Sequence, residues 1–185
     1  FLATDNRKAG AMAAKVLIEK LGKTGKIALM SYVAGAGSEI ERVGGFTDYI
    51  KANSDLTIVG PFYSQSQMAT ALNQTTDVLT SQPDLKGIFG ANEATAIGMG
   101  RAIAQARKAG KVLAVGFDGN QDLQEFVKNG TLDSIVVQGS FNMGYLGIKT
   151  LVSVLDGRKP PKFIDTGALL VNRANINSQE ALNVL

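Results

Sequence analysis

Lys26–Tyr32 reads KIALMSY, a short run with four consecutive apolar residues and no alternation of polar with apolar positions. Such a run predicts a strand buried on both faces, as in a parallel sheet covered by helices. Its neighbours support that reading. On the amino side, from about Arg7 to Leu21, the residues Ala9, Met12, Ala13, Val16 and Leu17 recur at helical spacing and stop at Gly22. On the carboxyl side, Gly35–Gly37 open a loop, and a helix is expected over about 38–52.

The alternation continues outward. Leu56–Phe62 (LTIVGPF) predicts a second strand, followed by a helix over about 65–79. After the Pro83-Asp84 turn, Gly87–Ala91 predicts a short strand, and a helix over about 94–109 stops at Gly110. Strands at Val112–Phe117 and Ser134–Val137 flank a helix over about 121–128. Beyond Gly139 the character changes. A helix over about 143–155 ends at Gly157, and Arg158-Lys159-Pro160-Pro161 makes a basic, solvated turn. A strand at Gly167–Val171 and a last short helix follow. Strands alternating with helices predict βαβ units, an α/β chain with a doubly wound parallel sheet. The segments do not repeat in sequence, so a solenoid is excluded.

Composition narrows the function. The chain has 185 residues, with 19 basic against 16 acidic for a formal charge of +3, and is 45% hydrophobic. That is one domain or slightly more, able to bury a sizeable core. Cys, His and Trp are absent, which removes thiolate nucleophiles, disulfides, His-based triads and ordinary zinc sites. The pI near 9.1 reflects too few surplus cations to argue for nucleic acid. No apolar run is long enough to span a bilayer. Phe1–Asn6 lacks the basic and apolar regions of a signal peptide. With an apolar start and no initiator Met, the chain is expected to be a fragment.

In an open parallel sheet, ligands bind beyond the carboxyl ends of the strands. The polar residues expected at those ends are Arg42, Asn92, Asp118 and Gln138. Planar groups of this kind donate and accept hydrogen bonds in pairs, which suits the vicinal hydroxyls of a sugar or polyol. Each also has a plainer reading. Asp118 and Asn92 could cap the helices that follow them, Gln138 could satisfy loop backbone, and Arg42 could pair with Glu39 or Glu41 on its own helix.

Three other motifs fail. Gly35-x-Gly37 has Ile40 where a dinucleotide fingerprint needs its third glycine, and Gly22-Lys23-Thr24 has Leu17 in place of the upstream glycine of a phosphate loop. Asp118-x-Asn120-x-Asp122 has Leu123 and Asn129 at the sixth and twelfth positions of a calcium loop, so no metal is expected. Gly98 and Gly100 fall inside a helix, where close packing against the sheet is the expected reason.

The segments ATDN (3–6), ERVGGF (41–46), GANEATAIG (90–98), VGFDGN (115–120), VVQ (136–138) and MGYLGIKTLVSVLDG (143–157) resemble the type I periplasmic sugar-binding proteins of ABC transporters, with the ribose-binding subgroup nearest. The resemblance runs the length of the chain. It implies two similar α/β lobes joined by three crossovers, with a monosaccharide held between them and delivered to a membrane permease outside the cytoplasm. It implies no cofactor and no catalysis.

Carried over by motif, Arg42, Asn92, Asp118 and Gln138 are the sugar ligands, Asp118 accepting from adjacent hydroxyls and Arg42 donating. Where the family places a stacking aromatic, this chain has Ser66, with Phe62 and Tyr63 shortly before it, which makes Tyr63 a further candidate. Crossovers are implied at Thr4-Asp5, Gln138-Gly139 and Asp165-Thr166. Residues 1–4 would then end the amino-terminal lobe, 5–138 would form the carboxyl-terminal sugar-binding lobe, 139–165 would belong to the other lobe, and 166–185 would return. Most of the amino-terminal lobe is missing from the chain, and the helix over 143–156 would pack on it. An alternative is the effector-binding core of the lactose-repressor family, which shares the fold and needs a helix-turn-helix ahead of it. A doubly wound enzyme is the third reading, disfavoured by the failed motifs and the lack of His.

Overall fold

In the computed structural model, which describes residues 1–185, the KIALMSY run lies in strand β2 (Thr24–Ser31). Its side chains divide between two separate cores: Ile27 and Leu29 face one, Ala28 and Met30 the other. This is the double burial that the unbroken apolar run predicts.

Around β2 the chain runs β1 (Leu2–Ala3), α1 (Asn6–Leu21), β2, α2 (Gly37–Asn53), β3 (Asp55–Tyr63), α3 (Met68–Ser81), β4 (Leu85–Gly90), α4 (Glu93–Gln105), β5 (Leu113–Phe117), α5 (Gln121–Asn129) and β6 (Ser134–Gln138). Then come α6 (Ser140–Leu155), β7 (Ile164–Asp165), β8 (Ala168–Asn172) and α7 (Gln179–Leu182). The main sheet has the order β3-β2-β4-β5-β6-β8. Helices α1 and α2 cover one face through Ala13, Leu17, Phe46 and Ile50. The other face carries α3, α4, α5 and α7 through Val78, Ile103, Leu123 and Ala181.

The expected doubly wound, mainly parallel α/β sheet is present, with one antiparallel edge. Strands β2 to β6 run parallel, but β8 pairs antiparallel with β6, Gln138 opposite Ala168. The chain leaves the sheet at Gln138 and comes back at the same corner, where the Gly139 amide donates to the Gly167 carbonyl at 3.0 Å. A strand that starts where its neighbour ends can only run the other way.

Three helix boundaries also differ from expectation: α6 begins at Ser140 rather than near 143, and the other two have local causes. Helix α3 begins at Met68 because Gln65 and Ser66 take positive φ, and Ser64 and Gln65 are held by the end of β2. Helix α4 ends at Gln105, before the positive φ of Arg107.

Gly98 and Gly100 also depart from expectation, since they pack on helices and not on the sheet. A Cβ at Gly98 would stand 2.3 Å from the Met68 carbonyl oxygen of α3, and one at Gly100 would stand 2.5 Å from the Phe126 ring of α5. Helix α4 is wedged between those two neighbours.

The tightest approach is between α1 and α2. A Cβ at Gly10 would be 1.9 Å from the Arg42 carbonyl oxygen, and one at Gly45 would be 2.1 Å from the Arg7 carbonyl oxygen. The two helices therefore touch backbone to backbone, which brings the start of α1 against Arg42.

In a separate two-stranded sheet, β1 and β7 pair in parallel, Leu2 with Ile164 and Ala3 with Asp165. The Thr166 amide then donates to the Ala3 carbonyl at 3.0 Å. Three passages of the chain thus run side by side at residues 3–5, 138–139 and 165–167. Helix α6 projects beyond them with no buried residue. Its Phe141, Ile148 and Leu155 are 71%, 66% and 78% exposed. No helix is long and apolar enough to cross a membrane.

Gly10→Ala is expected to lower unfolding free energy by about 1–3 kcal/mol, because backbone must move to admit the methyl group. Gly37→Ala, whose Cβ would meet nothing within 4 Å, should stay within about 0.5 kcal/mol of the wild type. Urea denaturation distinguishes them, and equal midpoints would show that the α1–α2 contact is not a constraint.

Candidate functional site

Parallel strands β2, β4, β5 and β6 deliver their carboxyl ends to one rim, where the polar residues come from the end of β6, the loops after β4 and β5, and helix α2 after β2. Asp118 follows β5 with a φ of 74°, a conformation that Asp tolerates better than most residues. Its amide donates to the Val136 carbonyl at 2.8 Å. Its Oδ1 accepts from Gln138 Nε2 at 2.7 Å. Gln138 Oε1 in turn accepts from the Thr4 hydroxyl at 3.0 Å. Helix α5 is capped by Asn120, whose Oδ1 accepts from the Leu123 amide, so Asp118 has no capping duty. Gln138 likewise binds side chains and not loop backbone.

Arg42 is 4% exposed. Its Nη1 donates to the Ala91 carbonyl at 2.7 Å, and its Nε and Nη2 both donate to Asn6 Oδ1, at 3.0 and 2.7 Å. The guanidinium lies over the Phe117 ring at 3.5 Å, with the Tyr32 ring at 5.5 Å. Cation–π contact and three hydrogen bonds replace the water it lost. One N–H on each of Nη1 and Nη2 is left for another acceptor. The alternative partners are engaged elsewhere: Glu39 accepts from Ser31 and the Gly35 amide, and Glu41 pairs with Arg7.

Asn92 does cap its helix, its Oδ1 accepting from the Thr95 amide, while its Nδ2 donates to Ser66 Oγ at 3.0 Å. It adjoins Ala91, whose carbonyl holds Arg42. Tyr63 stands apart, at the end of the sheet's edge strand, with its carbonyl accepting from Gln74.

Burial draws the Arg42 guanidinium below its usual range, while Tyr32 and Asp118 oppose that shift. Burial raises the Tyr32 phenol, against the pull of Arg42 and of its bond to Ser38. Burial and then the Asp118 charge raise Glu93. No three carboxylates gather around a point that could hold a metal ion.

Two cavities flank Gln138. One of about 640 Å³ is lined by Thr4, Asn6, Ser38, Arg42 and Phe163, among others. The second, of about 340 Å³, is lined by Glu93, Asp118 and Asn120, among others. Gln138 and Met143 border both. Gln138 thus stands between a cavity lined by Arg42 and one lined by Asp118, while Asn92 lines neither and meets Arg42 only through its neighbour Ala91. Tyr63 lines neither cavity. A separate depression of about 610 Å³ beside Lys86, Lys111 and Arg173 lies at the amino ends of the strands and holds none of these residues.

Sequence reasoning missed Thr4, Asn6, Tyr32, Phe117 and Glu93 at this site. Thr4 and Asn6 stand in the quoted ATDN segment and Phe117 immediately before Asp118, so part of the signal was visible. Their pairing with residues far along the chain was not.

A sequence profile of the periplasmic binding protein domain family matches residues 1–159. The D-allose-binding periplasmic protein of Escherichia coli K12 is 33% identical over 180 residues, covering 94% of this chain and 58% of that protein. An ABC transporter solute-binding protein from Agrobacterium vitis, solved with bound D-fucose, is 71% identical with a TM-score of 0.96 over 100% of this chain and 64% of its own. A carbohydrate transporter solute-binding protein from Agrobacterium radiobacter, in complex with D-arabinose, is 37% identical with a TM-score of 0.93, again over 100% and 64%. The chain thus spans about three-fifths of the length of these relatives. Matched over most of its length in sequence and superposed over all of it in structure, the chain belongs to the periplasmic binding protein domain family.

Proposed function

We propose that this chain is the larger part of a two-lobed solute-binding protein that captures a monosaccharide, a pentose or hexose, and delivers it to an ABC transporter permease outside the cytoplasm. The observation that carries this reading is the grouping of Arg42, Asp118 and Gln138, from three separate parts of the chain, around two cavities that meet at Gln138 at the carboxyl ends of parallel strands. The sugars held by the Agrobacterium relatives supply the ligand class.

In this reading residues 5–138 and 166–185 form one lobe. Residues 1–4 and 139–165 belong with a second lobe, which covers the apolar face of α6. The three side-by-side passages are the crossovers, and bending there closes the lobes over the sugar. Asp118 accepts from adjacent hydroxyls through Oδ2 and the remaining capacity of Oδ1. Arg42 donates its two free N–H groups, and Asn92 adds the second N–H of its amide. A neutral sugar leaves the Arg42 and Asp118 charges to offset each other. Asn92 and Tyr63 line neither cavity; Asn92 is kept because it adjoins Ala91, which holds Arg42, and Tyr63 is left out of the set.

Nothing in this scheme breaks a covalent bond, so the protein binds and does not catalyse. The two Agrobacterium relatives are solute-binding proteins of transporters, which favours transport over the repressor reading. A signal peptide ahead of Phe1 in the gene would agree, whereas a helix-turn-helix there would reverse that preference.

Asp118→Ala is expected to weaken D-fucose binding by tenfold to a hundredfold or more, because hydrogen bonds to a charged group contribute roughly 1.5–3 kcal/mol each. The measurement is calorimetry with both lobes present. Unchanged affinity in a folded variant would overturn the assignment.

The Arg42 sandwich makes a second prediction. Because burial holds the Tyr32 phenol above the usual value, its neutral form is the one the fold favours; stability is intact below about pH 10, the unfolded value, and falls as pH climbs beyond it. Ultraviolet titration should show one of the four tyrosines ionising last, and Tyr32→Phe should remove that late component. A late component that survives the substitution would refute the burial account.

A further inference from the structure

Beyond the residues that face the ligand, we propose that the segment Thr4–Asn6 is the positioning element of this site: Asn6 fixes the Arg42 fork, and Thr4 fixes Gln138 and, through it, Asp118. The inference rests on the sugar-binding reading above and adds to it the link between a crossover and the ligand-facing groups.

Asn6 is held in one orientation. Its Nδ2 donates to the Thr4 carbonyl at 3.3 Å, which turns Oδ1 toward Arg42. That single oxygen accepts from both Nε and Nη2. Together with the Ala91 carbonyl on Nη1, it pins the guanidinium plane from two sides. The free N–H of each terminal nitrogen is thereby aimed in a fixed direction. Without Asn6, the fork would keep only one carbonyl and its two rings, and rotation about the Ala91 bond would open.

Thr4 acts on the other charge. It is 3% exposed, and its hydroxyl donates to Gln138 Oε1. A donor on that atom decides which end of the Gln138 amide faces which way. With Oε1 turned to Thr4, Nε2 must face Asp118. Reversal would place an amide oxygen against the Asp118 carboxylate, so the Thr4 hydroxyl sets how Asp118 is held.

Thr4 and Asn6 flank Asp5, and Asp5 is anchored at both ends. Its carboxylate caps α1 by accepting from the Lys8 amide at 3.0 Å, and its own amide donates to Asp165 Oδ1 at 3.1 Å on the neighbouring passage. Asp5 is thereby tied to the start of α1 and to the third passage, with Thr4 and Asn6 on either side of it. A change of backbone angle at Thr4-Asp5 reorients Arg42 and Asp118 together. By the same linkage, a sugar that prefers one orientation of those groups selects one state of the crossover.

The test uses the two-lobed protein, with D-fucose as probe. Because Asn6 also lines the cavity, its effect is separated from direct contact by a double-mutant cycle. Asn6→Ala should weaken binding at least tenfold in the wild-type background and less than twofold in an Arg42→Lys background. Thr4→Val should weaken it about tenfold, and Thr4→Ser, which keeps the hydroxyl, should bind like wild type. Independent penalties at Asn6 and Arg42, or equal loss in Thr4→Val and Thr4→Ser, would overturn the proposal.

A sugar-free measurement separates its failure from that of the functional reading. Nitrogen-15 NMR should show a slowly exchanging Arg42 Nε–H that disappears in Asn6→Ala. Persistence of that resonance would sink the positioning claim whatever the protein binds. If the wild type binds no monosaccharide while the resonance behaves as expected, the sugar reading falls and the positioning of Arg42 by Asn6 stands.

Discussion

A guanidinium removed from water must be given acceptors where it lies, or the chain will not close around it. Arg42 is in that position, and meeting its needs ties together the start of α1, the end of β4 and the end of β5. Asn6 and the Ala91 carbonyl supply oxygen, while Phe117 and Tyr32 supply aromatic faces. The glycine contact between α1 and α2 makes this geometry possible, because a side chain at Gly10 or Gly45 would push Asn6 out of reach. Helix packing and the polar rim are thus a single problem with one solution. The sheet places strand ends in a row, and the α1–α2 approach places a charge above them.

Much of this was legible in the sequence. The KIALMSY run announced a doubly covered strand because both its faces are apolar, and the later strands and helices, apart from the two-residue β7, were recognisable from the same contrast of periods. The direction of β8 was not legible. Local pattern says that a segment is extended, but its sense depends on where the preceding excursion returns the chain. Gly98 and Gly100 were correctly read as close-packing positions, yet the neighbour was misjudged. A helical glycine signals contact without saying whether a sheet or another helix makes it.

At the rim, the rule that loops after parallel strands carry ligands singled out Arg42, Asp118 and Gln138, which the fold brings together. Tyr63 was chosen for its chemistry and its place in the sequence, and the edge position of β3 carries it away. Thr4 and Asn6 escaped because their partners lie far along the chain. Asn6 meets Arg42 only through a helix crossing, and Thr4 meets Gln138 only because two passages run side by side. Pairings of that kind leave no trace in periodicity or spacing.

The hydrogen bond from the Gly139 amide to the Gly167 carbonyl also bears on how the fold tolerates change. For the main sheet, everything between those two residues is a closed excursion on a narrow stem. The register of β6 against β8 is set below the stem, so the excursion can lengthen or shorten at only the slowly growing entropic cost of closing a longer loop. Changes of length there are best tolerated between Met143 and Ile164, where they leave the β1–β7 pairing intact and the strands beneath keep their partners.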